Sequence, residues 1–438
     1  MTDLDADVPA SPATGVGGPH ALPGGPAGPV SRDWAREQRK GSGTPLVPTG
    51  IGRRGALVYS FATLVFVAGL VALAWQGYRT TLDIKGGTSL DAETNPSKPG
   101  YEAQVKPIPT HLLVNVDAAG ALTEVQLLVP SATAAGGGVV LFIPGVTLVE
   151  TPEGNSELVT YAAANGIDAT VSRIEELLGF GLTDAVTLNP DQAAAMFEPL
   201  GSFTIDNPDA LVSTGVDGNK QIEFGAGSQM LAPTDVARYL AFVSDGDTGI
   251  NRSARNQIVW KQWMAALAAN PAAVPTVPPL EPAVGDNPVD LAAIVSGLSS
   301  GQVVYRDLPT TAISLPGAEG AKVYRVDAAA MAALVPEIVP YPTSATPGQR
   351  VRVRVLNGTS DLGAATRAAS TVVGAGGEII VVGNAKPMDA TVTTVEFHSE
   401  AMAERAAPIA AAFGVTATAS SLQTDAIDVT VTLGPDSP

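Results

Sequence analysis

Two arginines three residues apart, Arg252 and Arg255, follow a short stretch rich in oxygen side chains, Asp245-Gly246-Asp247-Thr248-Gly249-Ile250-Asn251. Guanidinium forks bind phosphate oxygens bidentately, and carboxylates beside them can hold a divalent cation on the same phosphate. Arg252, Arg255, Asp245 and Asp247 are therefore the residues here whose side chains could carry chemistry. The spacing has a structural reading too. At i and i+3 of a helix start, the arginines can equally cap the helix or pair with Asp245 and Asp247. The alternating oxygens also suggest a calcium loop, but Asn256 stands where such a loop has its twelfth-position Glu, which favours a solvated turn.

Other chemical signals are sparse. Gly136-Gly137-Gly138 has no Lys-Ser/Thr after it and leads into an apolar run, which makes it a hairpin turn rather than a phosphate cradle. The three histidines, His20, His111 and His398, are scattered, and no Ser, His and acid arrangement stands out. The chain has no Cys, which removes disulfides, thiolate nucleophiles and Cys-ligated metals.

Alternating strands and helices must position the arginines. His111 to Asp117, Val125 to Val129, Val139 to Ile143 and Val303 to Tyr305 read as strands. Ile167 to Leu178 carries Val171, Ile174, Leu177 and Leu178 on one helical face and ends at Gly179. This order predicts an α/β/α ectodomain domain over 105–335, with Asn270 to Asp290 as a proline-rich surface excursion. Pro336 to Gln349 has linker composition. Over 350–436 the pattern β-α-β-β-α-β predicts a small α+β sandwich of ferredoxin-like type, without a carboxylate pair, nucleophile or ligand cluster.

Upstream, Gly55–Gln76 is uncharged over 22 residues. At about 1.5 Å per residue this spans about 30 Å, enough for one transmembrane helix. Arg36, Arg39, Lys40, Arg53 and Arg54 lie just before it and only Arg79 and Lys85 just after, which predicts a cytoplasmic N-terminus and an extracytoplasmic C-terminus in the plasma membrane. Residues 1–54 are rich in Gly and Pro and read as a disordered tail, and 77–104 as a stalk. The tail carries six Lys/Arg and five Asp/Glu of a chain with net charge −18. The remainder is thus strongly acidic, a poor match for nucleic acid.

Residues 105–335 resemble the LytR-CpsA-Psr (LCP) family. The segments that carry this are Phe142-Ile143-Pro144, Glu175 to Phe180 (Glu-Glu-Leu-Leu-Gly-Phe) leading to a strand, Met196 to Ile205, and Arg252-Ser253-Ala254-Arg255-Asn256-Gln257. Residues 350–436 resemble the LytR C-terminal domain through Val355 to Gly358 (Val-Leu-Asn-Gly) and Leu433 to Asp436. The resemblance implies a pocket for a polyprenyl-pyrophosphate lipid whose glycopolymer is transferred to peptidoglycan, with Arg252 and Arg255 as the candidate phosphate-binding residues left in register and, on the enzyme reading, Asp245 and Asp247 as candidate metal ligands for Mg2+. This chain departs from that pattern. Gly145-Val146 stands where the family has Arg-Asp after Ile-Pro, and Tyr239 to Val243 lacks the arginines usual there. Losing several charge-assisted contacts at a transition state costs about 10³-fold or more in rate. The expectation is a degenerate LCP-like, non-catalytic envelope protein that binds or scaffolds cell-wall polymer, a polyprenyl-linked precursor or envelope proteins. The alternative is a metal-dependent LCP-type phosphotransferase.

Overall fold

The structure, a computed structural model, describes residues 93–437 apart from 134, 153, 276, 315–321 and 423. The expected tail (1–54) and membrane span (55–76) lie outside the described residues. Among the described residues no helix is long and apolar enough to cross a membrane.

The first described strand, β1 (Glu102–Gln104), changes the reading of the stalk. It pairs antiparallel with residues 381–383, far down the chain. The Asn384 amide donates to the carbonyls of Pro96 and Lys98 at 2.8 and 2.9 Å, so from Glu93 onward the expected stalk is tied to the C-terminal domain.

The next domain is built on five strands: β2 (His111–Val116), β3 (Leu122–Pro130), β4 (Gly138–Ile143), β5 (Asp184–Leu188) and β6 (Val303–Asp307), in the order β6-β4-β3-β2-β5. β6 and β5 run parallel to their neighbours, while β2, β3 and β4 form an antiparallel meander. Apolar residues on both faces of β3 dictate cover on both sides. On one side lie α1 (Leu158–Asn165) and α2 (Ile167–Leu178), packed on Leu112, Leu127 and Leu141. Gly179 ends α2 in the left-handed conformation, as its place after Leu177-Leu178 predicts. On the other side lie α3 (Pro190–Phe197), α4 (Pro233–Ala241), α5 (Gly249–Ala269) and α6 (Leu291–Ser299), packed on Leu113, Leu128 and Phe142. Two hairpins, 203–231 and 211–224, one nested in the other, sit between α3 and α4. The proline-rich excursion is anchored: Ala273, Val277, Leu280 and Val289 are buried in this second core, and Val284 bridges Ala185 of β5.

After α7 (Ala328–Ile338) the C-terminal domain forms β7 (Val351–Asn357), α8 (Ala364–Gly374), β8 (Gly377–Asn384), β9 (Thr394–Phe397), α9 (Ala403–Ala412), β10 (Thr418–Ala419) and β11 (Val429–Leu433). The main elements occur in the expected β-α-β-β-α-β order, but the sheet is not ferredoxin-like. Its order is β1-β8-β7-β11-β9-β10, with β7 parallel to both β8 and β11. The helix α8 makes a direct parallel crossover to the adjacent strand, where a ferredoxin-like split would leave a gap.

The stretch 336–349, expected to be a linker, is packed. Pro336 falls in the last turn of α7, Val339 is fully buried, and Thr343 bridges Gly181. The buried Arg350 then fastens the two domains. It donates to Gly179 O at 2.9 Å in the first domain, and to Gly377 O at 3.1 Å and Val373 O in the second. Burial pulls this guanidinium down to about 10, with Glu378 opposing the shift. Residues of both domains, from Leu112 to Leu433, belong to one buried apolar cluster.

Candidate functional site

The first two turns of α5 stand over the N-terminal end of β3. Thr248 caps the helix by accepting from Asn251 N at 3.2 Å, which aims Arg252 and Arg255 inward. The apolar stripe that follows, Val259, Trp260, Trp263, Met264 and Leu267, holds the helix against the sheet.

Each predicted residue has an internal partner. Arg255 Nη1 donates to Asp247 Oδ2 at 2.7 Å and Nη2 to Phe242 O at 2.7 Å, with side chains of Arg255 and Asp247 only 6% and 4% exposed. Its guanidinium lies 5.9 Å from the ring centre of Tyr239, whose hydroxyl donates to Asn207 at 2.8 Å. Burial pushes the Tyr239 phenol up to about 12. Asp245 accepts from the Thr214 hydroxyl on the nested hairpin. The structure therefore sends Asp245 and Asp247 to different partners. Among the described residues, no group of three or more His, Asp or Glu could hold a metal ion.

Arg252 meets a residue that the sequence reading missed. Its Nε lies 3.1 Å from Glu124 Oε1, with side chains 13% and 6% exposed, yet that oxygen has no aligned hydrogen bond. Burial pushes the Glu124 carboxyl up to about 8; Arg252, Arg255 and a hydrogen bond from Asn256 pull it down, and Asp247 adds to the rise. The net direction is up: burial outweighs the cations beside it and favours the protonated form of Glu124.

Glu124 belongs to a buried polar line. On the same face of β3 is Gln126, which accepts from Asn115 on β2 at 2.9 Å while its own Nε2 has no partner. Asn115, Glu124, Asn256 and Trp260 line a narrow, mainly apolar cavity between α3, α4 and the sheet, of about 40 Å³. That is room for water rather than for a lipid chain. The signal for this line was available: polar residues at 124 and 126 share one face of a strand whose other positions, Val125 and Leu127, are apolar. Reading the strand as starting at Val125 concealed it.

The two departures from the LCP pattern also lie here. A Cβ on Gly145 would sit 2.5 Å from Val159 Cγ1 and 4.0 Å from an Arg252 terminal nitrogen. Val146 packs against Gly249 at the start of α5, where a Cβ would come within 2.7 Å of its methyls. Apolar contacts fill the positions at which the family pattern has a cation and a carboxylate.

The His111 Nδ1 lies 2.8 Å from Asp184 across β2 and β5, a pairing that secures the sheet edge. Gly137 lies so close to Gln302 O that a Cβ would approach to 2.3 Å, so the glycine run is a tight turn against the loop before β6.

Residues 350–436 match the family LytR_C, described as LytR cell envelope-related transcriptional attenuator. No curated protein matches the chain by sequence. Among solved structures, the chain is similar to TagV of B. subtilis, at 16% identity over 52% of this chain and 94% of that one, with a TM-score of 0.40. It is similar to TagT of B. subtilis bound to LI-WTA, at 16% identity over 56% and 92%, with a TM-score of 0.40. A LytR-Csp2A-Psr enzyme from Actinomyces oris matches at 19% identity over 52% and 92%, with a TM-score of 0.36.

Proposed function

We propose that this chain, which carries a LytR_C domain at 350–436, is a non-catalytic cell-envelope protein, held in the plasma membrane by the span 55–76 with both folded domains outside. It binds or scaffolds envelope material: cell-wall polymer, a lipid-linked precursor or envelope proteins. The observation that carries this is the closed Arg255–Asp247 pair. A group that is to clamp a transferring phosphate must offer its donors to the ligand, and Arg255 spends both terminal nitrogens on Asp247 and on the Phe242 carbonyl. The apolar filling at Gly145 and Val146 supports the same reading.

The test uses the full chain in detergent, a polyprenyl-pyrophosphate-linked glycan, peptidoglycan and Mg2+. The expected result is no transfer above a protein-free control. Transfer that depends on the chain and disappears in both Arg252→Ala and Arg255→Ala would establish the phosphotransferase instead. Protease protection in spheroplasts tests the anchoring: cleavage from outside should reach the C-terminal domain and spare the N-terminal tail.

A further inference from the structure

Two distant parts of the chain meet at the carboxyl end of β8. There the Asn384 N–H donates to Tyr101 O at 2.8 Å and the Gly100 N–H to Asn384 O at 3.1 Å, and Arg354 of β7 pairs with Glu102 of β1. A Cβ at Gly383 would overlap the Tyr101 carbonyl, so the glycine is what lets the 93–104 segment lie so close. This clasp precedes the whole first domain in sequence. Sixteen residues, 77–92, separate it from the expected span 55–76, a reach of at most about 55 Å. A chain that leaves a bilayer at residue 76 therefore meets the C-terminal domain first and enters the first domain only after it.

The loops at the same end of the sheet carry exposed apolar side chains. Leu362, between β7 and α8, is 58% exposed, and Val392, between β8 and β9, is 54% exposed. Backbone bonds hold both loops there: the Gly358 N–H donates to Leu433 O at 3.0 Å, and the Ala390 N–H to Gly358 O at 2.9 Å. Lys98, Lys386 and Arg367 stand against Asp361, Asp389 and Asp436, so this end is close to neutral in a chain of net charge −18. Arg367 is paired with Asp361, and the Asp436 carboxylate accepts from the Thr393 amide and hydroxyl at 2.7 and 2.8 Å, which leaves the lysines exposed. Exposed aliphatic side chains with lysines beside them, on a surface without excess negative charge, suit the headgroup layer of a phospholipid bilayer. Val216, Ile222 and Met230 on the nested hairpins are exposed as well, but they belong to the first domain, beyond the clasp in sequence.

We propose that the C-terminal domain rests on the membrane, with the carboxyl ends of β7, β8 and β11 toward the bilayer, Leu362 and Val392 in its phospholipid headgroup layer, and the 93–104 clasp holding that orientation. The domain that comes last in sequence is then the one beside the lipid. The assignment rests on the anchored reading given above and deepens it.

The chain has no cysteine, so a single one at position 362, 392 or 216 can carry a fluorophore on the full chain. Each variant is reconstituted in vesicles of phosphatidylcholine and phosphatidylglycerol, with and without a lipid that bears a nitroxide quencher on its headgroup. Emission from Leu362→Cys and Val392→Cys should be largely lost with the nitroxide lipid, while Val216→Cys keeps its emission. Gly383→Val, which blocks the clasp, should restore the emission at both sites. Quenching equal at all three sites, or strongest at Val216→Cys, overturns the proposal, as does quenching that survives Gly383→Val. So does emission that follows the protein-to-lipid ratio instead of the nitroxide, which would assign the patch to a second copy of the chain. A chain that does not float with the vesicles ends the anchored reading and this one with it. A chain that floats with Leu362→Cys and Val392→Cys unquenched overturns this one alone. Should Gly383→Val fail to fold, the three-site comparison on the otherwise unsubstituted chain still decides.

Discussion

Glu124 gives the sharpest test of the site. Its carboxyl is raised from 4.5 to about 8 because burial outweighs the pull of Arg252 and Arg255. A group whose folded value lies above its unfolded one keeps a proton that the unfolded chain has released. The stability it contributes is therefore fully present below about pH 4.5 and is lost as pH rises through 8. With those two values, the loss between pH 5 and pH 7 is about 2–3 kcal/mol. Glu124→Gln carries the neutral form permanently and has no such slope. Urea unfolding of wild type and variant at pH 5, 6, 7 and 8 isolates the effect, since other titrating groups cancel in the difference. The variant should gain on the wild type by about 2–3 kcal/mol from pH 5 to pH 7. A difference that stays flat with pH would refute the reasoning. A variant weaker by about 3–5 kcal/mol at pH 7 would show an ionised Glu124 paired with Arg252.

Arg255→Ala leaves Asp247 buried without its cation and should cost about 3–5 kcal/mol in urea unfolding, whereas a solvent-facing phosphate clamp would cost almost nothing. Gly145→Ala should destabilise by about 1–3 kcal/mol through its clash with Val159, and Val159→Ala in the same chain should recover most of that in a double-mutant cycle. Arg350→Met removes the donors that join Gly179 to Val373 and Gly377. It should expose the 340–350 segment to limited proteolysis, releasing a C-terminal fragment that wild type does not yield.

The elements with strong periodicity were readable from sequence because one local signal decided each. Gly179 closes α2 where Leu177-Leu178-Gly179 predicts, and β7 alternates as Val351, Val353 and Val355 require. The order of elements in the C-terminal domain was legible; its strand order was not. Periodicity tells which residues face a core and is silent on which strand lies beside which. The packing of 336–349 was hidden for a related reason: Pro and Ser mark a chain that makes few repeating hydrogen bonds, and they do not say whether Val339 is buried. At the site, the composition of 245–257 pointed to the arginines and acids. Which acid meets which arginine depended on Glu124, more than 120 residues away in sequence, and no local pattern links it to Arg252.

The short β1 strand sets the order in which this molecule can be completed. Glu102 precedes the whole first domain and yet pairs with Gly383, about 280 residues later, so closing that loop carries an entropic cost that only the finished C-terminal domain can offset. During synthesis the segment around β1 must wait while the first domain forms, and it docks only when the last domain has emerged. A C-terminal domain expressed alone from residue 350 would have an unpaired edge at β8, open to strands from other chains.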